Sequence, residues 1–276
     1  MNTNHLRATA ALLTLAGSLL CTPAAHADWS RIEKAGALKV AVYTEFAPYS
    51  DKDSGIDTEL AAALAAKLGV RLNLLPFPAG ENLADDLRNM VWKGHYLGYG
   101  PADVMLHVPV EPQLMQQNDK VKIFAPYHVE TVRLVRSAAS IPSFDGMDSL
   151  TGKRIGVEKV SIAAMVLLGE GEGRFRDNVR IFDTAAQALE QLKAGALDAV
   201  LANRSEIDAA LQDDPAYPLD EVKFQRLPRA GWAVGLAVRK DDADLALRLQ
   251  AALNDMRDSG ELQAIFKKYG VHLVRP

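Results

Sequence analysis

Rings and cationic donors are the side chains here with most to offer a ligand. Trp92, Tyr96 and Tyr99 crowd into one short stretch that also holds His95, three glycines and Pro101, and Trp232 stands alone much later. Planar faces of this kind either stack on a flat ligand or pack a loop against its own domain. His107, His128, Arg204 and Arg229 can donate to acidic groups, and a guanidinium does so through two parallel bonds. Capping and surface roles compete with binding for all four, because histidine is intermediate in burial and arginine mostly exposed. Ser161 follows a strand-like segment and opens a helix-like one. Free amides there could bind an anion, or the hydroxyl could simply cap them.

Enzyme chemistry finds little support. The chain carries no G-x-S-x-G, H-E-x-x-H, Walker loop or G-x-G-x-x-G,. Glu158 reads as a solvated or hinge-side carboxylate with no evident catalytic partner. Cys21 is the only cysteine.

Residues 1–27 have the pattern of a removable leader. Arg7 supplies the positive start, residues 8–20 an apolar run too short to span a bilayer, and Ala25, His26 and Ala27 a cleavage site,. Ser18, Leu19 and Leu20 do not suit lipidation of Cys21. The mature chain then begins at Asp28 in the periplasm, without a cysteine for a disulfide, thiolate metal site or nucleophile. Loss of Arg7 deepens the formal net charge of −4 by one, which argues against a nucleic-acid surface. No second stretch is long and apolar enough to span a membrane.

Strand-like and helix-like segments alternate throughout, the mark of an α/β fold. In a first series, residues 38–42, 70–75, 102–106 and 121–124 read as strands. Leu60, Leu64 and Leu68 share one helical face, and residues 83–93 form another helix,. A second series has strands at 154–157, 179–182 and 197–201. Ser161 opens its first helix, and Thr184 with Gln187 has capping-box spacing at the next,. A strand over 233–239 must rejoin the first series, followed by two helices. The chain therefore divides into a first lobe over 28–136 and 232–276 and a second over 137–231. Two crossings between them create a hinge and a ligand cleft. Ligands in open α/β sheets sit beyond the carboxyl ends of the strands.

Residues 38–42, 55–69, 124–127, 150–157, 194–200 and 259–270 together resemble the extracellular solute-binding proteins of family 3, the two-lobed type II receptors of ABC importers. The resemblance implies a non-enzymatic, monomeric protein that closes on a small solute without a required cofactor and hands it to a permease. It also brings Tyr49 into the candidate site. Amino-acid binders of this family place an arginine after the strand ending at Leu106 and an aspartate where this chain has Asn203. Here no arginine falls between Leu106 and Phe124. With both anchors replaced, amino-acid binding is not carried over. Residues 94–106 and 124–127 further resemble a subgroup encoded beside pyrroloquinoline-quinone (PQQ) dehydrogenases. That likeness implies PQQ or another planar anion as ligand and a periplasmic dehydrogenase as alternative partner. A rival is an enzyme similar to cyclohexadienyl dehydratases, which needs a cleft carboxyl group as general acid.

Overall fold

The computed structural model describes residues 27–51, 53–224, 227 and 231–276. Residues 1–26, which hold all of the proposed leader but Ala27, lie outside them, as does Arg229. Among the described residues no helix is long and apolar enough to cross a membrane.

The first half of the chain is built from α1 (Ala27–Ala35), β1 (Ala37–Tyr43), α2 (Ile56–Lys67), β2 (Arg71–Phe77), α3 (Leu83–Leu87), β3 (Val104–Pro109) and α4 (Pro112–Gln117). A wider π turn, Arg88–Trp92, extends α3. β4 (Val121–Arg136) follows and is the longest strand. The second series has β5 (Ile155–Glu158), α5 (Ile162–Gly169), β6 (Val179–Phe182), α6 (Ala185–Lys193), β7 (Ala199–Asn203), α7 (Arg204–Leu211) and β8 (Leu219–Asp220). Then β9 (Gly231–Arg239), α8 (Ala243–Asp258) and α9 (Glu261–Lys268) close the chain.

Strands run in the order β2-β1-β3-β9-β4-β7-β5-β6, with β8 beside β4. β1 pairs in parallel with β2 and β3, as β5 does with β6 and β7. β4 belongs to both groups. Its residues up to Thr131 pair with β9, and from Val132 onward it pairs with β7. The first crossing therefore takes place inside a continuous strand, five residues before the Arg136 boundary expected from the composition of the following loop. Hydrogen bonding passes from one neighbour to the next without a break, so no turn residue marks the change.

Each half buries its own apolar residues. Leu38, Val40, Leu60, Leu64, Leu249 and Phe266 are among those filling the first, between the sheet and α2, α8 and α9. Leu134, Ile155, Val157 and Leu167 fill the second. Trp232 packs against both cores. The caps read from sequence form: Ser161 Oγ accepts from Ala164 N at 3.0 Å and Thr184 Oγ1 from Gln187 N at 3.2 Å. Gln187 Oε1 accepts from Asp183 N, one residue ahead of the cap.

β9 lies between β3 and β4, and both pairings contain register shifts. Gly235 sits where they close in. A Cβ there would lie 2.5 Å from Phe124 O and 2.8 Å from Val110 Cγ2. Gly235→Ala is expected to destabilise the protein by about 1–3 kcal/mol through overpacking, measurable as a lower urea midpoint.

Candidate functional site

The loops that follow β1, β5, β6 and β7 converge on a cavity of about 850 Å³ between the two halves. All leave the carboxyl ends of parallel strands, where an open α/β sheet presents its ligand-binding crevice. One wall is the segment after β1, comprising Tyr43, Thr44, Glu45, Phe46, Ala47, Pro48 and Asp51. The other contains Glu158, Ser161, Thr184, Asn203 and Glu206. Trp232 lines the hinge side.

The β1–α2 segment is held rigidly. Phe46 N donates to Ser50 O at 2.7 Å, and Gly55 N donates to the Tyr269 hydroxyl at 3.0 Å. Gly55 has φ 136°, and a Cβ there would come within 2.1 Å of Tyr49 O. Beneath this wall lies a floor of buried polar groups. Tyr127 donates to Asp57 Oδ1 at 2.7 Å, while His107 Nδ1 lies 3.1 Å from Asp57 Oδ2. Tyr49 donates to Glu130 Oε2 at 2.8 Å, its ring stacks on Phe46, and the His107 ring packs edge-on 4.0 Å away. Burial, reinforced by the nearby carboxylates, keeps the phenols of Tyr49 and Tyr127 protonated.

The opposite wall carries two unusual carboxyls. Desolvation, together with the charge of Glu158, pushes Glu206 up to about 8, although its Oε2 accepts from Asn203 N at 3.0 Å. Glu158 is also raised, chiefly by desolvation, against a backbone bond from Ala185 that opposes the shift. Lys159 is the basic group among the described lining residues, and it pairs with Asp183 at 2.7 Å.

The residues singled out from sequence are dispersed. Ser161, Asn203 and Trp232 reach the cleft. Tyr49, His107 and His128 are buried beneath the lobe-one wall rather than lining it. His128 Nδ1 accepts from Val274 N at 3.2 Å, and its ring packs on Phe266. Arg204 turns to Asp208, 3.4 Å away on its own helix. Trp92, Tyr96 and Tyr99 do not line the cleft. Their segment leads into the amino end of β3, where Asp103 N donates to Lys39 O at the start of β1. It therefore lies at the other end of the strands. Tyr99 stacks on His95 there, and Tyr96 is 88% exposed. The sequence reading did not single out Tyr43, Thr44, Glu45, Phe46, Thr184 or Glu206 as site residues. Position immediately after strand ends was the signal that could have found most of them.

No family model matches the chain. It is 27% identical over 245 residues to a probable histidine-binding protein of Neisseria gonorrhoeae, covering 84% of this chain and 82% of the relative. The L-cystine-binding protein of Escherichia coli is 24% identical, with 87% and 85% covered. The solved structure of an amino acid ABC transporter substrate-binding protein from Streptococcus pneumoniae, bound to L-arginine, matches with a TM-score of 0.62. It is 20% identical and covers 90% of this chain and 99% of that one. The fold is thus the two-lobed α/β architecture of periplasmic binding proteins. The chain is thus similar over most of its length to bacterial proteins named for binding amino acids. None of these three relatives is named for a quinone.

Two outcomes follow. Burial and the neighbouring charges of His107 and Arg204 lower His128 to about 3, well below its unfolded value. Folding therefore excludes a proton that the unfolded chain takes up below about pH 6.5, so this contribution to stability is lost as the pH falls from there toward 3. Urea unfolding should show a loss on the order of 2 kcal/mol between pH 7 and pH 4 that His128→Asn reduces. Tyr96→Ala, at the far end of the strands, should change stability by less than about 0.5 kcal/mol and solute affinity by less than about twofold, as measured by unfolding and calorimetry.

Proposed function

We propose that this chain is the periplasmic solute receptor of an ABC importer, capturing a small polar solute of the amino-acid type by closing its lobes. The observation that carries this reading is the 850 Å³ cleft walled by both halves, with Phe46 and Trp232 beside polar groups at the ends of β5, β6 and β7. Rings and a few convergent polar groups in a concave site are the usual make-up of a small-molecule pocket. Relatives named for histidine and cystine add weight to the same reading. Closure between lobes is the known repertoire of such a hinge. No step requires a cofactor.

A polyanionic quinone such as PQQ fits this cleft less well. Glu45, Asp51, Glu158 and Glu206 face it, whereas Lys159 already has an acid partner. Most of the rings proposed to stack on such a ligand stand at the opposite end of the strands. A partner dehydrogenase gains no support from the relatives either.

One observation favours an enzymatic alternative. Glu206, held up to about 8, is a carboxyl in the cleft able to act as an acid, and Glu158 lies near it. Incubation of the mature protein with prephenate or arogenate decides between the two, and under the receptor reading no aromatic product forms.

The primary test is a calorimetric screen of amino acids, amines and small acids against mature protein. A saturable solute is expected. Phe46→Ala should weaken its binding by about tenfold, the worth of one well-packed aromatic contact, with the unfolding midpoint little changed. Absence of any solute in the screen, with aromatic product from prephenate, would replace the receptor with the enzyme.

A further inference from the structure

We infer that the cleft recognises an organic cation through Glu158 and Glu206 and needs no carboxylate on it, so that the solute is an amine or guanidine rather than an α-amino acid. This rests on the reading of the cleft as the solute site and goes beyond it in naming the chemistry recognised.

Three observations converge. First, the walls are acidic on both sides: Glu45 and Asp51 from the segment after β1, Glu158 at the end of β5, and Glu206 in the first turn of α7. An ion entering between them meets the same sign of charge from both lobes, and lobe closure brings the four together. Second, the basic side chain on these walls already has an acid partner. Lys159, the basic residue among the described lining residues, is 2.7 Å from Asp183. A carboxylate on the solute would find the amides at the start of α5 but no uncommitted guanidinium or ammonium among the described lining residues. His107, the first residue after Leu106, is buried on Asp57 and does not line the cleft. Third, Phe46 and Trp232 line the same space. Aromatic faces attract cations and accept the apolar stem of an alkylamine.

Glu206 gives the capture a proton-linked character. It faces Glu158 from β5 and Glu130 from β4, both of which disfavour its charge, while Asn203 N favours it. A bound cation would stabilise the carboxylate and expel the proton. Binding therefore strengthens as the pH rises toward and through the free-state value, and it releases protons below it.

The test compares agmatine with L-arginine, which share a guanidinium and differ by the α-carboxylate, with glutarate as a dianion lacking any cation. Calorimetry is run on mature protein at pH 7 in phosphate and in Tris. Agmatine is expected to bind at least as tightly as arginine, with an enthalpy that differs between the buffers because protons are released, and glutarate is expected not to bind. Glu206→Gln should weaken agmatine by about tenfold or more and remove the buffer dependence, as expected for loss of a charge-assisted hydrogen bond. Should Glu206→Gln fail to fold, Glu45→Gln on the exposed opposite wall provides the second variant, with an expected loss of about threefold from a more solvated charge. Arginine binding about tenfold tighter than agmatine would overturn the amine assignment while leaving the receptor reading standing. Binding of glutarate alone, or agmatine binding indifferent to both substitutions, would overturn it as well. If no cation binds, the amine assignment fails, and the receptor reading is then judged separately by the wider solute screen.

Discussion

One buried carboxylate holds the hinge together. Glu130 is 1% exposed and sits on β4 just before the strand changes partner. Its oxygens accept from the Tyr49 hydroxyl, Thr131 N, and the hydroxyl and amide of Ser205. A charge so placed costs several kcal/mol unless its lone pairs are filled. The three donor residues come from three places: the loop forming one cleft wall, the hinge strand, and the start of the helix bearing Glu206. The amide end of α7 also presents its positive dipole to the carboxylate. Across the sheet, Glu130 pairs in register with Trp232. The two walls and the hinge ring of the cleft thus all refer to one side chain.

Around that point the lobes are coupled by more than the crossing strands. After α9 the chain runs back along the hinge: Val129 N donates to Val274 O, and His272 N donates to Asp208 Oδ2 on α7. The imidazole of His272 also lies 2.9 Å from Asp213. In the proposed closure, rotation of one lobe on the other would have to twist β4 and shift this tail.

Much of the fold was legible in the sequence. β6 was read to the residue, and Ser161 and Thr184 cap as their spacing requires, because strand alternation and capping are local signals. The crossing point was less legible, since β4 stays extended while its neighbour changes and nothing in its own residues marks the switch. The lining of the cleft was the least legible. Trp92, Tyr96 and Tyr99 were gathered by composition, but a loop that precedes a parallel strand lies at its amino end, away from the crevice. The neutral Asn203 was read as a lost anchor. The acid that serves the wall stands three residues later, and only the packing of α7 against β4, β7 and α6 sets it near Glu158.

The placement of the three tryptophans gives the protein an optical gauge of its own state. Trp29 lies in the lobe-one core under the Arg248 guanidinium, and Trp92 stands half in water at the far end of the strands. Trp232 alone of the three touches both cores and the cleft. Its indole is therefore the one of the three placed to report on the space between the lobes.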